Sequence, residues 1–147
     1  MLIYLAGVIK PDWNWRQQLK EAILEHTSLS VNFIDPAQLE NYIENPNEGQ
    51  KQCVVNLDLS AVKVADLVIG YYSVGHLPIG TTCELFFARQ LLKPTILLYD
   101  EPLSLDFHPW VTYLGSYIVP VPQQRPWAKA KIICERLENL RYLGQKG

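Results

Sequence analysis

Short apolar runs alternate along this chain with longer segments of helical period, and this alternation limits the folds open to it. The runs have the length of buried strands and cover residues 2–8 (LIYLAGV), 31–34 (VNFI), 66–72 (DLVIGYY), 94–99 (PTILLY) and 116–119 (SYIV). Between them, apolar residues recur at spacings of three and four, as on the buried face of an amphipathic helix. Such an alternation is typical of a parallel sheet covered on both faces. We therefore predict a doubly wound, three-layer α/β/α fold with a mostly parallel sheet of about five strands.

The same patterns predict where the helices lie. Helices are expected over residues 15–26, 54–65, 81–92 and 127–143. The polar stretch 37–52 contains Pro46 and Gly49 as breakers and predicts a loop with a short helix. A second loop or short helix holds Phe107, Trp110 and Tyr113. A chain of 147 residues has the size of one domain with a core of its own, so we predict a single domain over 1–147.

Charge and cysteine content exclude several classes of protein. Thirteen basic against 15 acidic residues give a formal charge of −2, which offers no reason to expect nucleic acid or an anionic membrane as partner. No run of 18 apolar residues is present, and the apolar start lacks a cationic region before it. The three cysteines, Cys53, Cys83 and Cys134, are widely spaced and form no metal-ligand motif. We expect a cytoplasmic protein without a metal.

The common nucleotide-binding motifs are absent. Ligands of open parallel sheets bind beyond the carboxyl ends of the strands, so the loops after each strand are the places to search. Gly7 stands alone after the first strand, where a dinucleotide site has GxGxxG, and no GxxxxGK[ST] occurs. Nor does the first strand end in the acidic pair of a response regulator. We therefore predict no cofactor.

Glu84 is the first candidate for chemistry. The predicted helix begins around residues 80–82, so Glu84 falls in its first turn, where the positive end of the helix dipole favours an ionised carboxylate. It would also lie beside the end of a strand, where a cleft is expected. Thr81 and Glu84 equally match a capping box, in which Glu84 only satisfies the amide of the N-cap residue. The local pattern leaves both interpretations open.

Asp58 is the second candidate, because it lies on the apolar stripe of its helix together with Val55, Ala61, Val62 and Ala65. A carboxylate there is costly unless it meets a partner or lines a cavity. Partial burial would raise its pKa and suit a proton donor near neutral pH. The alternative is that Asp58 lies at the edge of the stripe and reaches water.

Other residues carry weaker signals. His76 lies in the loop before the Glu84 helix and is a candidate for substrate contact, whereas a structural role is expected for His26 and His108. Tyr4 lies in the first strand, where packing is its default role and its hydroxyl needs a partner if buried. The first loop carries Trp13, Trp15 and Arg16, which either form an aromatic and cationic lip or cover the sheet.

Taken together, these segments resemble the nucleoside 2-deoxyribosyltransferase family and the related N-glycosidases of deoxynucleoside monophosphates. The likeness rests on IYLAG at residues 3–7, on the Asp58–Asp66 spacing in DLSAVKVADLVIG, and on GTTCELFFARQLLKPTILL at residues 80–98. The matching stretches run from residue 3 to residue 98, roughly two thirds of the chain, and the likeness lies in their order and spacing. The resemblance implies a flavodoxin- or Rossmann-like sheet, no cofactor, and a homo-oligomer with its sites at subunit boundaries.

The resemblance also assigns roles to residues. It implies that Glu84 is the nucleophile that attacks the anomeric carbon of a 2-deoxyribosyl group, and that Asp58 protonates the departing base. Tyr4 would position the nucleophile. The substrate would contact residues of the loops and of the first helix turns: Gly7, Val8, Trp15, His76 and Gly80. The expected ligands are a small nucleoside or nucleotide and a free nucleobase.

Three functions remain open. Transfer of 2-deoxyribose between bases is ranked first. Hydrolysis of a nucleoside 5′-monophosphate comes next, and only Arg16, Thr81 and Thr82 offer themselves for a phosphate. The family's acidic or hydroxyl residue six positions before the nucleophile is here Pro78, so Ser73, His76 or a neighbouring subunit would have to replace it. The third is a module that binds a nucleotide or NAD-like ligand without turnover, and a structural subunit is the plainest alternative.

Overall fold

The computed structural model describes residues 1–10, 12–39 and 45–141. The strands are β1 (Leu2–Ala6), β2 (Asn32–Ile34), β3 (Leu67–Tyr72), β4 (Thr95–Asp100) and β5 (Tyr117–Val121). The helices are α1 (Trp15–His26), α2 (Pro36–Leu39), α3 (Glu48–Val64), α4 (Ile79–Gln90), α5 (Pro109–Leu114) and α6 (Ala130–Arg141). Short 3₁₀ helices, Glu101–Leu103 and Pro126–Lys129, follow β4 and precede α6.

The five strands form one sheet in the order β2-β1-β3-β4-β5, and every pair of neighbours runs parallel. The predicted fold class is therefore confirmed, and the sheet is parallel throughout its described strands rather than mostly so. The order changes direction between β1 and β3: the chain moves outward from β1 to β2, then returns past β1 to β3. In open α/β sheets, this change of direction opens a crevice at the carboxyl ends of the two strands.

Alternate residues of each strand enter two separate cores. Ile3 and Leu5 of β1 pack with α1 and α6, in a core that includes Trp15 and Leu137. The residues between them, Tyr4 and Ala6, pack on the opposite face, where α3, α4 and α5 lie. The period of two along a strand produces this division. Tyr4 consequently faces the two helices that carry Asp58 and Glu84.

Helix α3 begins six residues before the predicted start. Asn47 caps it: the Asn47 side chain accepts from the Gln50 amide at 2.9 Å, and the Gln50 side chain accepts from the Asn47 amide at 2.9 Å. This capping box offsets the cost of Gly49 in the first turn. The stretch 37–52, expected to be a loop with a short helix, contains most of α2 and, over 48–52, the start of α3, while residues 40–44 lie outside the described part.

The other boundaries agree more closely. Gly7 and Val8, expected at the end of the first strand, already belong to the loop after β1. The segment with Trp110 and Tyr113 contains the short helix α5. Helix α6 matches the predicted terminal helix, of which residues 142 and 143 lie outside the described part. No helix in the described ranges is both long and apolar enough to cross a membrane.

Gly70 of β3 allows α4 to lie directly on the sheet. A Cβ atom at this position would come within 2.7 Å of Leu85 Cδ1 and 2.9 Å of its Cδ2. Leu85 is fully buried and follows Glu84 in the chain. The missing side chain of Gly70 therefore determines how closely Glu84 approaches the sheet.

We expect Gly70→Ala to lower the free energy of unfolding by about 1–3 kcal/mol, because the new methyl group overpacks a buried leucine. The measurement is urea unfolding followed by circular dichroism. Gly49→Ala is the matched control: its Cβ would meet only Asn47 Oδ1 at 3.5 Å, and the loss of a helical glycine should leave stability equal or slightly higher. Equal stability of Gly70→Ala and the wild type would contradict the close packing of α4.

Candidate active site

Three side chains from three elements meet on the α3–α4 face of the sheet, near the change in strand direction. Tyr4 comes from β1, Asp58 from α3 and Glu84 from α4. Asp58 lies one helical turn before Ala61 and Val62, whose buried side chains pack on the sheet. Its position on the apolar stripe therefore turns it toward the same face as Tyr4.

Each of the three has a buried oxygen without a partner. The Tyr4 hydroxyl, Asp58 Oδ1 and Glu84 Oε2 are the only buried side-chain oxygen or nitrogen atoms of the described residues that lack a hydrogen bond. Burying one such atom unpaired costs about 1–3 kcal/mol. Since native proteins satisfy most buried polar groups, these three atoms are available for hydrogen bonds to a ligand or to water.

The three groups influence one another electrostatically. Burial raises the pKa of Glu84 to about 7, and the negative charge of Asp58 adds to this. The nearby Tyr4 hydroxyl and the Arg16 guanidinium lower that pKa, although the hydroxyl does not reach hydrogen-bond geometry with the carboxylate. Near neutral pH, Glu84 therefore exchanges between its acid and its ionised form.

The pKa of Tyr4 is also raised, first by burial and then by the charges of Glu84 and Asp58. The phenol consequently keeps its proton over the whole physiological range. It is a hydrogen-bond donor directed at a carboxylate, which suits the positioning role that the resemblance implies.

The environment of Glu84 differs from the one expected. Helix α4 begins at Ile79, with Pro78 as N-cap residue and no side-chain cap, so Glu84 lies in the second turn. Thr81 is buried inside the helix rather than capping it. The predicted capping box is therefore wrong, and so is the expectation that the helix dipole keeps Glu84 ionised. Gly80 lies beside the carboxylate, with its missing Cβ 3.7 Å from Glu84 Oε1.

The loop after β1 is held by the first turn of α1. Trp15 Nε1 donates to the Val8 carbonyl at 3.0 Å, and the buried Arg16 side chain donates to the carbonyls of Leu5, Gly7 and Val8. A Cβ atom on Gly7 would lie 2.4 Å from the Trp15 ring, so only glycine fits. Trp15 itself has no exposed surface. Trp15 therefore has no surface that a substrate could contact directly, and it acts only through Gly7 and Val8. Neither Trp15 nor Arg16 forms an open lip.

His76 joins the loops after β1 and β3. Its Nδ1 lies 2.7 Å from the Ser73 hydroxyl oxygen, and its ring stacks on Trp13 with the centroids 5.6 Å apart. The half-buried His76 thus lies at the carboxyl edge of the sheet, where a substrate contact was predicted. Ser73 and His76 were the side chains of this chain proposed to replace the polar residue missing at Pro78, and here they are hydrogen-bonded to each other.

The residues considered for a phosphate are mostly occupied. All three side-chain nitrogens of Arg16 donate to backbone carbonyls. The Thr82 hydroxyl lies 2.6 Å from the Tyr72 hydroxyl, and Thr81 is buried. None of the three presents a free cation or hydroxyl to an incoming anion.

Asp100 organises the same edge of the sheet and was not singled out in the sequence. Its buried carboxylate accepts from the Tyr71 hydroxyl at 2.6 Å and from the amides of Val74 at 2.8 Å and Gln124 at 3.0 Å. These contacts join the loops after β3 and β5. The available signal was an aspartate directly after the apolar run 94–99.

The described residues contain no group of three or more His, Cys, Asp or Glu side chains that could hold a metal ion. The three cysteines are free, Cys134 in the core and the other two exposed.

Solved structures of three bacterial proteins share this fold. A conserved protein of Enterococcus faecalis V583 has a TM-score of 0.69 at 14% identity and covers 95% of this chain and 98% of its own. A 2-deoxyribosyltransferase of Bacillus psychrosaccharolyticus has a TM-score of 0.55 at 22% identity, and the match covers 82% of this chain and 99% of that protein. The CMP N-glycosidase BcmB of Clostridium botulinum also has a TM-score of 0.55 at 22% identity, and the match covers 95% of this chain and 99% of that protein. At the level of the fold, the resemblance drawn from the sequence is confirmed.

Sequence comparison adds little. No protein-family model matches the chain. A stretch of 62 residues, 41% of the chain, is 40% identical to human ATP-binding cassette sub-family G member 5. The chain spans about a tenth of the length of that protein.

We expect Glu84→Gln to stabilise the protein above neutral pH. The pKa of Glu84 is 4.5 in the unfolded chain and about 7 in the folded one, so folding favours the protonated carboxyl group. The wild type therefore loses stability as pH rises from 4.5 to 7 and this group ionises in its buried place. At pH 8 the variant should exceed the wild type by on the order of 3 kcal/mol in unfolding free energy, falling to near zero at pH 4.5. Chemical denaturation at several pH values measures this.

Glu25→Gln, an exposed change on α1, is the control and should show no such dependence on pH. A stability gain of Glu84→Gln that is equal at pH 4.5 and pH 8 would show that the carboxylate is not desolvated.

Proposed function

We propose that this chain breaks the N-glycosidic bond of a 2-deoxynucleoside and transfers the sugar to a second nucleobase. The observation that carries this proposal is the convergence of three unpartnered buried oxygens, two of them carboxylate, on one face of the sheet. A nucleophilic carboxylate and a proton donor are the two groups that such a reaction needs, because its transition state resembles an oxocarbenium ion.

The first half of the reaction forms an ester. Ionised Glu84 attacks the anomeric carbon while the bond from that carbon to the base nitrogen breaks. In this step Asp58 acts as the acid that gives a proton to the departing base, so the base leaves neutral. Tyr4 donates a hydrogen bond toward Glu84 and fixes the direction of attack.

The second half reverses these steps with another base. A nitrogen of the acceptor base attacks the anomeric carbon, the ester bond to Glu84 breaks, and Asp58 takes the proton that the acceptor loses. Glu84 returns as a carboxylate, and the enzyme is restored without a cofactor. Water in place of the acceptor base would give hydrolysis by the same groups.

The shared fold supports this class of reaction, since a 2-deoxyribosyltransferase and an N-glycosidase are both similar to the chain over most of its length. The similarity to a CMP N-glycosidase also makes hydrolysis of a nucleoside monophosphate the second candidate. We rank transfer first because Arg16, Thr81 and Thr82, which would have to bind a phosphate, are engaged or buried. The predicted homo-oligomer and cytoplasmic location remain predictions.

Incubation of the protein with deoxyinosine and adenine should give deoxyadenosine, and Glu84→Gln should lose at least about a thousandfold in rate, because the amide is no nucleophile. Chromatography of the products measures this, with Glu25→Gln as a folded control of full activity. Parallel incubations contain deoxynucleoside monophosphates and NAD.

The outcomes separate the alternatives. Free base without exchange identifies a hydrolase, and binding without turnover in every incubation identifies a ligand-binding module. An active Glu84→Gln contradicts the mechanism. With Glu84 as nucleophile, kcat/KM of the wild type should rise with pH around 7; a fall in that range would indicate that Glu84 is instead the acid.

Asp58→Asn should lose about 10²–10⁴-fold in rate on deoxyinosine, because the base then leaves without its proton. On 7-methyl-2′-deoxyguanosine, whose base is already cationic, the loss should be much smaller. The ratio of the two rates, measured beside the Glu84→Gln variant, isolates proton donation. Equal losses on both substrates would contradict an acid role for Asp58.

A further inference from the structure

A buried arginine lies at the carboxyl end of β1, beside the candidate active site. Arg16 is only 3% exposed. Its Nε donates to the Leu5 carbonyl at 3.1 Å, one terminal nitrogen to the Val8 carbonyl at 2.9 Å, and the other to the Gly7 carbonyl at 2.6 Å. Three hydrogen bonds from one rigid guanidinium fix the end of β1 and the backbone of the loop that follows it.

The loop is held from a second side as well. Trp15 Nε1 donates to the same Val8 carbonyl, and its ring fills the space where a side chain on Gly7 would lie. Leu5, the first residue that Arg16 contacts, directly follows Tyr4. The guanidinium therefore joins the start of α1 to the strand segment that carries the Tyr4 hydroxyl and to the backbone that faces the crevice.

The charge of Arg16 is only partly compensated. Its Nε lies 3.7 Å from Asp35 Oδ1, while Lys20 Nζ lies 3.1 Å from Asp35 Oδ2. Two cations share this buried carboxylate, so one net positive charge remains behind β1. A charge held in a desolvated place acts over a longer distance than one in water.

The charged and titratable groups that act on Glu84 come from three elements. Tyr4 faces it from β1, Asp58 from α3 and Arg16 from α1, and Arg16 is the only cation among them. Lys20 does not belong to this set.

We propose that Arg16 is a positioning residue of the reaction: it holds Gly7 and Val8 against the crevice and keeps a positive charge behind Tyr4 and Glu84. The inference rests on the proposed function. Arg16 touches neither sugar nor base. It acts through the loop, which determines how the substrate fits, and through Glu84, whose ionised form its charge favours.

Two substitutions separate these effects. Arg16→Met removes both the charge and the hydrogen bonds. The rising limb of the kcat/KM–pH profile should therefore move to higher pH by about one unit, and KM should increase as well. Arg16→Lys keeps the charge without the three-way geometry, so the limb should return toward the wild-type pH while KM stays raised. Lys131→Met, which removes an exposed cation from α6, is the control and should leave the limb unmoved.

A third variant covers failure of Arg16→Met to fold, which circular dichroism would reveal. Asp35→Asn removes the carboxylate that compensates Arg16, and the limb should then move to lower pH. The opposite signs of the two shifts cannot arise from a general loss of structure. The inference would be overturned if Arg16→Met and Asp35→Asn both fold and the rising limb of the kcat/KM–pH profile keeps its wild-type position in each. It would also be overturned if Arg16→Lys fails to bring the midpoint of that limb back toward the wild-type pH.

The failure of this inference is distinguishable from that of the proposed function. The ¹³C signal of the Glu84 carboxyl, assigned by its loss in Glu84→Gln, reports the pKa without any turnover. An inactive wild type would overturn the proposed function, and an upward shift of that pKa in Arg16→Met would still support the electrostatic action. An active wild type with the same pKa in both proteins would overturn only the inference about Arg16.

Discussion

The arrangement of this protein depends on the need to cover both faces of a parallel sheet. Successive residues of β1 alternate between the core under α1 and α6 and the core under α3 and α4. That alternation sends Tyr4 to the face where Asp58 and Glu84 lie. A shift of one residue in the register of β1 would bury the phenol against Trp15 instead and separate it from both carboxylates. Packing of the core and assembly of the site are thus consequences of one pattern.

The site is held at the expense of stability. Three polar atoms are buried without partners, and Glu84 is desolvated far enough to raise its pKa to about 7. The surrounding contacts hold them in place: Gly70 admits Leu85 at close range, and Arg16 donates to one carbonyl at the end of β1 and to two in the loop after it. Rigid supports around unsatisfied groups are what a preorganised site requires, because the groups cannot relax toward water or toward each other.

Much of this was visible in the sequence, and the errors have physical causes. The parallel sheet covered on both faces followed from the alternation of apolar runs, and the apolar stripe indicated that Asp58 lies on the buried side of its helix. The start of α4 was misjudged because Thr81 and Glu84 match a capping box, whereas burial of Thr81 and Leu85 against the sheet extends the helix back to Ile79. Tertiary packing overrode the local signal. The contacts of Arg16 and Asp100 join residues of different elements and leave no periodic trace in the sequence.

The raised pKa of Glu84 bears on how a carboxylate in this place would act. Its ionised form lacks the solvation of water and meets the negative charge of Asp58, so it is a destabilised anion, which Tyr4 and Arg16 favour. A sugar that develops positive charge at its anomeric carbon supplies the missing counter-charge, and supplies most of it at the transition state. An interaction that strengthens toward the transition state accelerates the reaction, whereas equal stabilisation of the bound substrate would not. Burial of Glu84 would therefore favour attack on a cationic centre over attack on a neutral one, which is consistent with chemistry at an N-glycosidic bond.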